Sequence, residues 1–350
     1  MPRERMGFDA VLLGDGMVLV VGNDGNPWAD DYYASGAEPG SELVDLYDPA
    51  AGSWSPAEGL NKPRKWGAAL ALPDGSGMVL GGVNANGQPF SSTKIFSPVT
   101  LRWAPGPEMI VARREPVAVT LGDGRVLVAG TGADLSTGTS EVYDPATAGW
   151  TGQARLPVRY PRLHTLLRLG DAGALAIGSY ETGDTDNFGD VGFVYIAASN
   201  RWTQVDFPWV FGASLIALDD GDVLAVGGGG GGDCCRGIAS VSDVYRFDHE
   251  TLMWREVASL PSPRETIALA ILPDGRVLAT GGVRVRESDA GGDGTPVKVT
   301  ETYDPATDTW SKGPDLLEPS GGAIAVALAN GDALLLGGSL SAPERLTVGP

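Results

Sequence analysis

Histidine and cysteine are nearly absent: 350 residues contain two of each. Two adjacent cysteines, Cys234 and Cys235, exclude the disulfide framework of a small secreted scaffold. His164 and His249 leave little material for a histidine-based metal site, so no metal and no cofactor are expected. No apolar run is long enough to span a bilayer as a helix. The opening Met1-Pro2-Arg3-Glu4-Arg5-Met6 has no apolar signal-peptide core, which sets the expectation of a cytoplasmic protein. Basic side chains are also short, with 25 Lys and Arg against 44 Asp and Glu, a net charge of −19. Such a field repels phosphate backbones and anionic lipid, so neither nucleic acid nor membrane is expected as a partner. A small molecule or peptide is expected instead, bound by a monomer.

Glycine is plentiful, with 51 residues, which favours many tight turns over long helices. A turn followed by an apolar strand recurs in seven copies: Asp15-Gly16-Met17-Val18-Leu19, Gly77-Met78-Val79-Leu80, Asp123-Gly124-Arg125-Val126-Leu127, Asp171-Ala172-Gly173-Ala174-Leu175, Asp220-Gly221-Asp222-Val223-Leu224, Asp274-Gly275-Arg276-Val277-Leu278 and Asn330-Gly331-Asp332-Ala333-Leu334. A second apolar segment precedes each, and Asp-Gly between two such runs is a hairpin signal. The inner strand of each hairpin is called A here and its partner B. Strand B ends in glycine, as in Gly81-Gly82, Gly227-Gly228 and Gly281-Gly282. An aromatic and then a Trp seven positions later follow: Tyr47/Trp54, Phe96/Trp103, Tyr143/Trp150, Tyr195/Trp202, Phe247/Trp254 and Tyr303/Trp310. These mark strands C and D of a four-stranded meander, joined by turns such as Tyr47-Asp48-Pro49.

A sheet of this size cannot bury both faces alone, whereas radial packing of successive sheets does. The pattern resembles the kelch-repeat family: Pro-Arg before strand A, Gly-Gly after strand B, then Tyr-Asp-Pro and Trp. The resemblance covers essentially the whole chain and implies an all-β, single-domain propeller over residues 1–350. Seven blades are expected, the last short of its outer strand or completed by Met1–Met6; six blades would leave a surplus hairpin.

Binding residues of a propeller are expected on the B–C and D–A loops at one end of the channel. The first B–C loop carries Trp28 and Tyr32, the fourth Tyr180, and the fifth a hexaglycine run with Cys234 and Cys235. The D–A loops bring Arg64, Trp66, Arg114, Arg162, Trp209, Phe211 and Arg264 to the start of strand A, where arginine suits an anion. Motif arginines also satisfy backbone carbonyls or pair with acids. Glu115, Glu265 and His164 hold similar places in blades three, six and four, and are the candidates for acid and base. His249 replaces the proline of the Tyr-Asp-Pro turn and reads as structural.

Kelch propellers include sugar oxidases, mutarotases, specifier enzymes and interaction adaptors. A copper-radical sugar oxidase needs two histidine ligands, a tyrosine ligand and a Cys–Tyr crosslink, and only His164 is placed near the mouth. The Glu-x3-Asp-x3-His pattern of iron-dependent specifier proteins is missing as well. The expectation is therefore a metal-independent, non-redox enzyme of the isomerase, epimerase, cyclase or lyase kind. The alternatives are a non-catalytic peptide- or protein-interaction propeller and a carbohydrate-binding propeller.

Overall fold

The computed structural model describes residues 8–22, 43–132, 137–159, 161–171, 173–181, 188–208, 212–230, 239–286 and 294–349. Among these there are strands and turns and no α-helix. Among the described residues seven antiparallel sheets of three or four strands follow one another along the chain, with two additional two-stranded ribbons, Gly229–Gly230 with Ala239–Ser240 and Val283–Arg284 with Thr295–Pro296. The first runs Phe8–Leu12, Val18–Gly22, Val44–Asp48 and Ser53–Pro56, each strand pairing with the next. The second repeats the order with Ala68–Ala71, Gly77–Leu80, Thr93–Ser97 and Arg102–Gly106. Sheets three to six keep the same meander. The seventh has three strands among the described residues, Ala323–Ala327, Asp332–Gly337 and Glu344–Thr347. This is a seven-bladed β-propeller, as the repeat count predicts. Met1–Met6 lie outside the described residues.

Two compact units divide the chain, Pro2–Val205 with sheets one to four and Asp206–Pro350 with sheets five to seven. Within each, the core lies between adjacent sheets. Val11, Leu19 and Val21 of the first sheet meet Val79 and Phe96 of the second, and Leu224 and Val226 of the fifth meet Val277 and Ala279 of the sixth. Strand B is buried along its length, as in Val18–Val21 and Val223–Val226. That explains its continuous apolar run: both faces of the strand are covered. Burial of each such Val or Leu contributes roughly 1.5–3 kcal/mol.

The repeat motif has a mechanical basis. All six aromatic–Trp pairs are direct cross-strand partners, such as Tyr47 with Trp54 and Tyr303 with Trp310, with ring centroids 4.9–5.2 Å apart. Five of the motif indoles then reach a preceding segment, as where Trp103 Nε1 donates to Glu58 O at 2.8 Å, Trp150 to Pro107 O at 2.9 Å and Trp310 to Ala258 O at 2.8 Å. The Tyr, Phe and Trp of the motif therefore latch sheet to sheet. The paired glycines serve the same junction. Gly228 N donates to Arg264 O at 3.0 Å, and a Cβ on Gly227 would stand 2.2 Å from that same oxygen. Gly227 also has φ of 63°, so a side chain there fails on both counts.

Candidate functional site

The segment leading into strand A is held by a short exchange of backbone bonds. Lys65 N donates to Val83 O at 3.0 Å and Val83 N returns to Lys65 O at 2.8 Å. Glu265 and Val283 make the same pair in the second unit, at 2.9 and 2.8 Å. The residue that follows the pinned one is forced to positive φ, 55° at Trp66 and 50° at Thr266. A bulky residue in that region is a conformational outlier that the surrounding bonds must hold. The consequence at Trp66 is a large indole presented outward, 41% exposed.

Beside Trp66 lies a carboxylate that sequence reasoning passes over. Asp9 sits in strand A of the first sheet, opposite Val21. The corresponding strand positions are Ala68, Val117, Thr165, Ser214, Ala268 and Ile324, none of them charged. Asp9 Oδ2 accepts the N–H of Ala69 at 2.9 Å, and burial pushes the carboxyl up to about 6. Asp9, Arg64, Trp66, Gly67 and Ala69 line a cavity of about 20 Å³, room for one water molecule. The signal in the sequence was a single acid inside an apolar strand, visible once the seven hairpins are set in register.

A second group in the first unit gathers three expected residues, Glu115, Arg114 and Arg162, while His164 stands apart from them. Glu115 is exposed as a residue, yet desolvation of its carboxyl raises its pKa above the ordinary range against the pull of Arg114 and Arg162. Arg114 Nη2 is tied to Gly87 O at 3.0 Å. His164 is exposed and sits at an irregularity between the Leu163–Gly178 and Thr165–Ile177 pairs, with Nε2 3.4 Å from Ser179 Oγ. The exposed His164 follows the ordinary alternation of the strand from exposed Arg162 and buried Leu163. Glu265, the third candidate acid, belongs to the second unit and is half-buried, with burial raising its pKa.

The arginines divide. Arg264, expected to hold an anion at the mouth, is wholly buried: Nη1 meets Glu301 Oε2 at 2.5 Å and Ser262 O at 3.0 Å, and Nη2 meets Ala279 O at 3.2 Å. That guanidinium is a structural cross-brace and does not face a ligand, because its carboxylate partner comes from within its own sheet. Arg64 is buried as well, 4% exposed, bonded to Gly81 O and stacked over Phe90 with its Cζ 5.1 Å from the ring centroid. Trp28, Tyr32, Trp209, Phe211, Cys234 and Cys235 lie outside the described residues, as does the side chain of Tyr180. His249 takes the structural part expected of it, its Nδ1 2.7 Å from Asp222 Oδ1.

Repeat signature, blade architecture and relatives agree on the class: the chain is a seven-bladed β-propeller whose repeats are similar to those of kelch proteins. No family model matches the chain. Two proteins named galactose oxidase from Gibberella zeae are 27% identical over 303 residues, covering 80% of this chain and 43% of each relative. An F-box/kelch-repeat protein of Arabidopsis thaliana is 31% identical over 126 residues, covering 35% of this chain and 30% of that protein. Among solved structures, a fungal alcohol oxidase of the AA5 family in complex with copper superposes with a TM-score of 0.68 at 18% identity, over 99% of this chain and 74% of that one. This last likeness is one of fold. The chain spans less than half the length of the curated oxidases it matches.

These relatives overturn the expected metal-independent isomerase, epimerase, cyclase or lyase chemistry, since the matches named for an activity are oxidases. A copper centre is the group they raise, and the donor set can be tested. Among the described residues no three His, Cys, Asp or Glu side chains come together to hold a metal. His249 is engaged by Asp222, and each unit contains a single histidine. The described residues do not fit a copper centre.

Proposed function

We propose that this propeller recognises a sugar or a related polyol through the rim of its first unit. The observation that carries the reading is the 303-residue match to proteins named galactose oxidase, which takes in four-fifths of the chain. Trp66 and Asp9 support it at residue level. An exposed indole held rigidly by the backbone offers an apolar face to the C–H side of a sugar ring. A carboxylate beside it accepts hydrogen bonds from hydroxyl groups. Recognition is preferred over oxidation because the described residues lack a copper donor set.

Calorimetric titration with galactose and a panel of neutral sugars and polyols tests the reading. Trp66→Ala is expected to weaken binding at least tenfold, with the fold unchanged by circular dichroism. A panel with no binder, or unchanged affinity in the variant, overturns it. Copper-dependent peroxide formation from the same sugars would return the chain to the oxidases.

A further inference from the structure

Two positions of the repeat, read across the sheets, form a matched set. One is the loop position of Arg113 and Arg264. The other is a strand C position, occupied by Glu141 opposite Val128 in the third sheet and by Glu301 opposite Ala279 in the sixth. Arginine and acid meet there as buried ion pairs, Arg113 Nη2 to Glu141 Oε1 at 2.9 Å and Arg264 Nη1 to Glu301 Oε2 at 2.5 Å. The fourth and fifth sheets carry Phe193 and Tyr245 at the strand C position. The seventh keeps the acid, Glu344 opposite Leu335, with Ser320 at the loop position. The second sheet keeps the arginine, Arg64, and places Lys94 opposite Val79, where the carboxylate belongs.

The environment of Arg64 otherwise copies that of Arg113. Arg64 Nη1 donates to Gly81 O at 2.9 Å and Ser92 O at 3.3 Å, and Nη2 to Ser92 Oγ at 3.3 Å. Arg113 Nη1 donates to Gly130 O at 2.8 Å and Thr139 O at 2.7 Å, and Nη2 to Thr139 Oγ1 at 3.0 Å. The second N–H on Nη2, which meets Glu141 in the third sheet, has no carboxylate in the second. Glu141 also accepts the N–H groups of Ile110 at 2.6 Å and Val111 at 3.0 Å. Their counterparts in the second sheet are Asn61 and Lys62, whose N–H groups have no partner among the described residues. Burial with no opposing acid pushes the Arg64 guanidinium down to about 10. Arg64 is answered by two carbonyls, a hydroxyl and the Phe90 ring but by no carboxylate in ion-pair contact, and burying a cation without an opposing charge is costly.

We propose that the second sheet binds a small carboxylate or halide anion where the Glu141 carboxylate sits in the third, held by Arg64 Nη2 and the N–H groups of Asn61 and Lys62, with Lys94 as countercharge. The anion replaces a side chain that the repeat omits. The site shares Arg64 with the small cavity beside Trp66 but rests on other groups than the proposed sugar contact, the second N–H of Arg64 Nη2 and the N–H groups of Asn61 and Lys62, so acetate and bromide test it without a neutral sugar.

Lys94→Glu supplies the missing carboxylate. In thermal melts from zero to 50 mM sodium acetate or bromide, the wild-type Tm is expected to rise by about 2–4 °C more than that of Lys94→Glu, which starts higher and stays flat. Equal salt dependence in the two proteins is general screening of the acidic surface and overturns the proposal. A bromide soak of wild-type crystals gives a second measurement that needs no variant. An anomalous peak within hydrogen-bonding distance of Arg64 Nη2 is expected, and its absence overturns the assignment. An arm with glucuronate separates a sugar-borne carboxylate from a free anion: protection by acetate and bromide without glucuronate assigns the site to a small free anion, and protection by all three extends it to acidic sugars.

Discussion

The third and second sheets share one plan and differ in how they neutralise the arginine at their entrance. In the third, Arg113 and Glu141 are both wholly inaccessible, and the acid also caps two loop N–H groups. In the second, Arg64 keeps its carbonyl and hydroxyl partners and loses the acid. The difference separates two uses of one motif: a closed brace where the charge is answered internally, and an open receptor where it is not. It also explains why the arginines cannot be treated as one ring of anion holders. Arg264 is spent on Glu301, and Arg64 alone of the three buried guanidinium groups makes no ion pair among the described residues, Asp9 sharing only its cavity.

Removing the answer from the closed brace gives the largest effect. Glu141→Gln leaves Arg113 buried and unpaired and strips a charge from the acceptor of the Ile110 and Val111 N–H groups. Loss of one partner of a buried pair costs about 3–5 kcal/mol, so the urea midpoint of Glu141→Gln is expected to fall far below that of wild type. Arg64→Met, in contrast, is expected to cost much less in an anion-free buffer, because it removes a buried charge that makes no ion pair. If both variants lose the same stability, the two sheets are neutralised alike and the comparison fails.

What the sequence discloses follows from how each feature is encoded. Turn, strand and latch are local and repeated, so Asp-Gly, Gly-Gly and the aromatic–Trp spacing disclose the blades directly. The arginine–acid braces are not local. Arg113 precedes the third sheet and Glu141 lies in its third strand, 28 residues on, and only the strand register puts Glu141, Lys94 and Glu344 in one column. Asp9 is overlooked for a similar reason: Phe8-Asp9-Ala10-Val11-Leu12 reads as an ordinary strand until Ala68, Val117 and Ser214 are set beside it. The chemistry expected of Glu115, Glu265 and His164 rests on similar places in the repeat, and the relatives redirect the reaction class away from it.

Asp9 sharpens the contrast between scaffold and rim. An acid whose folded pKa is raised, here from 3.8 to about 6, holds its proton when the unfolded chain has lost it. Stability therefore falls as pH rises from about 4 through 6 and remains lower above that. Asp9→Asn keeps an acceptor for Ala69 N and removes the charge. It is expected to match wild type at pH 4 and to be more stable at pH 8 by about 1–3 kcal/mol, measured by urea titration at both pH values. Sugar affinity is expected to fall in the same variant, the pattern of a site kept at a cost to the fold. A variant less stable than wild type at pH 8 would make Asp9 a brace like Glu141 and not part of the rim.

The smallest effect belongs to a brace that is neither closed nor open. In the fifth sheet Asp222 accepts from Arg246 Nε at 2.6 Å and stands 2.7 Å from His249 Nδ1, with the imidazole about one-third exposed. The hydrogen bond to Asp222 raises the His249 pKa; burial opposes the fall at Asp222, where the bonds from His249 and Arg246 win and hold it low. For His249 the stabilising contribution is full below its unfolded value of 6.5 and is lost as pH rises through the higher folded one. For Asp222 it is present above 3.8 and is lost as pH falls through the lower folded value. The pair is therefore strongest between these limits, near pH 5–6. His249→Gln is expected to cost less than about 1 kcal/mol there, as exposed pairs do, and less still at pH 9, where the imidazole is neutral in wild type too. Melting curves of wild type and variant at pH 5.5 and pH 9 measure the gap. A gap that widens toward pH 9 would show that the imidazole holds the turn by shape and its neutral hydrogen bond, in place of charge.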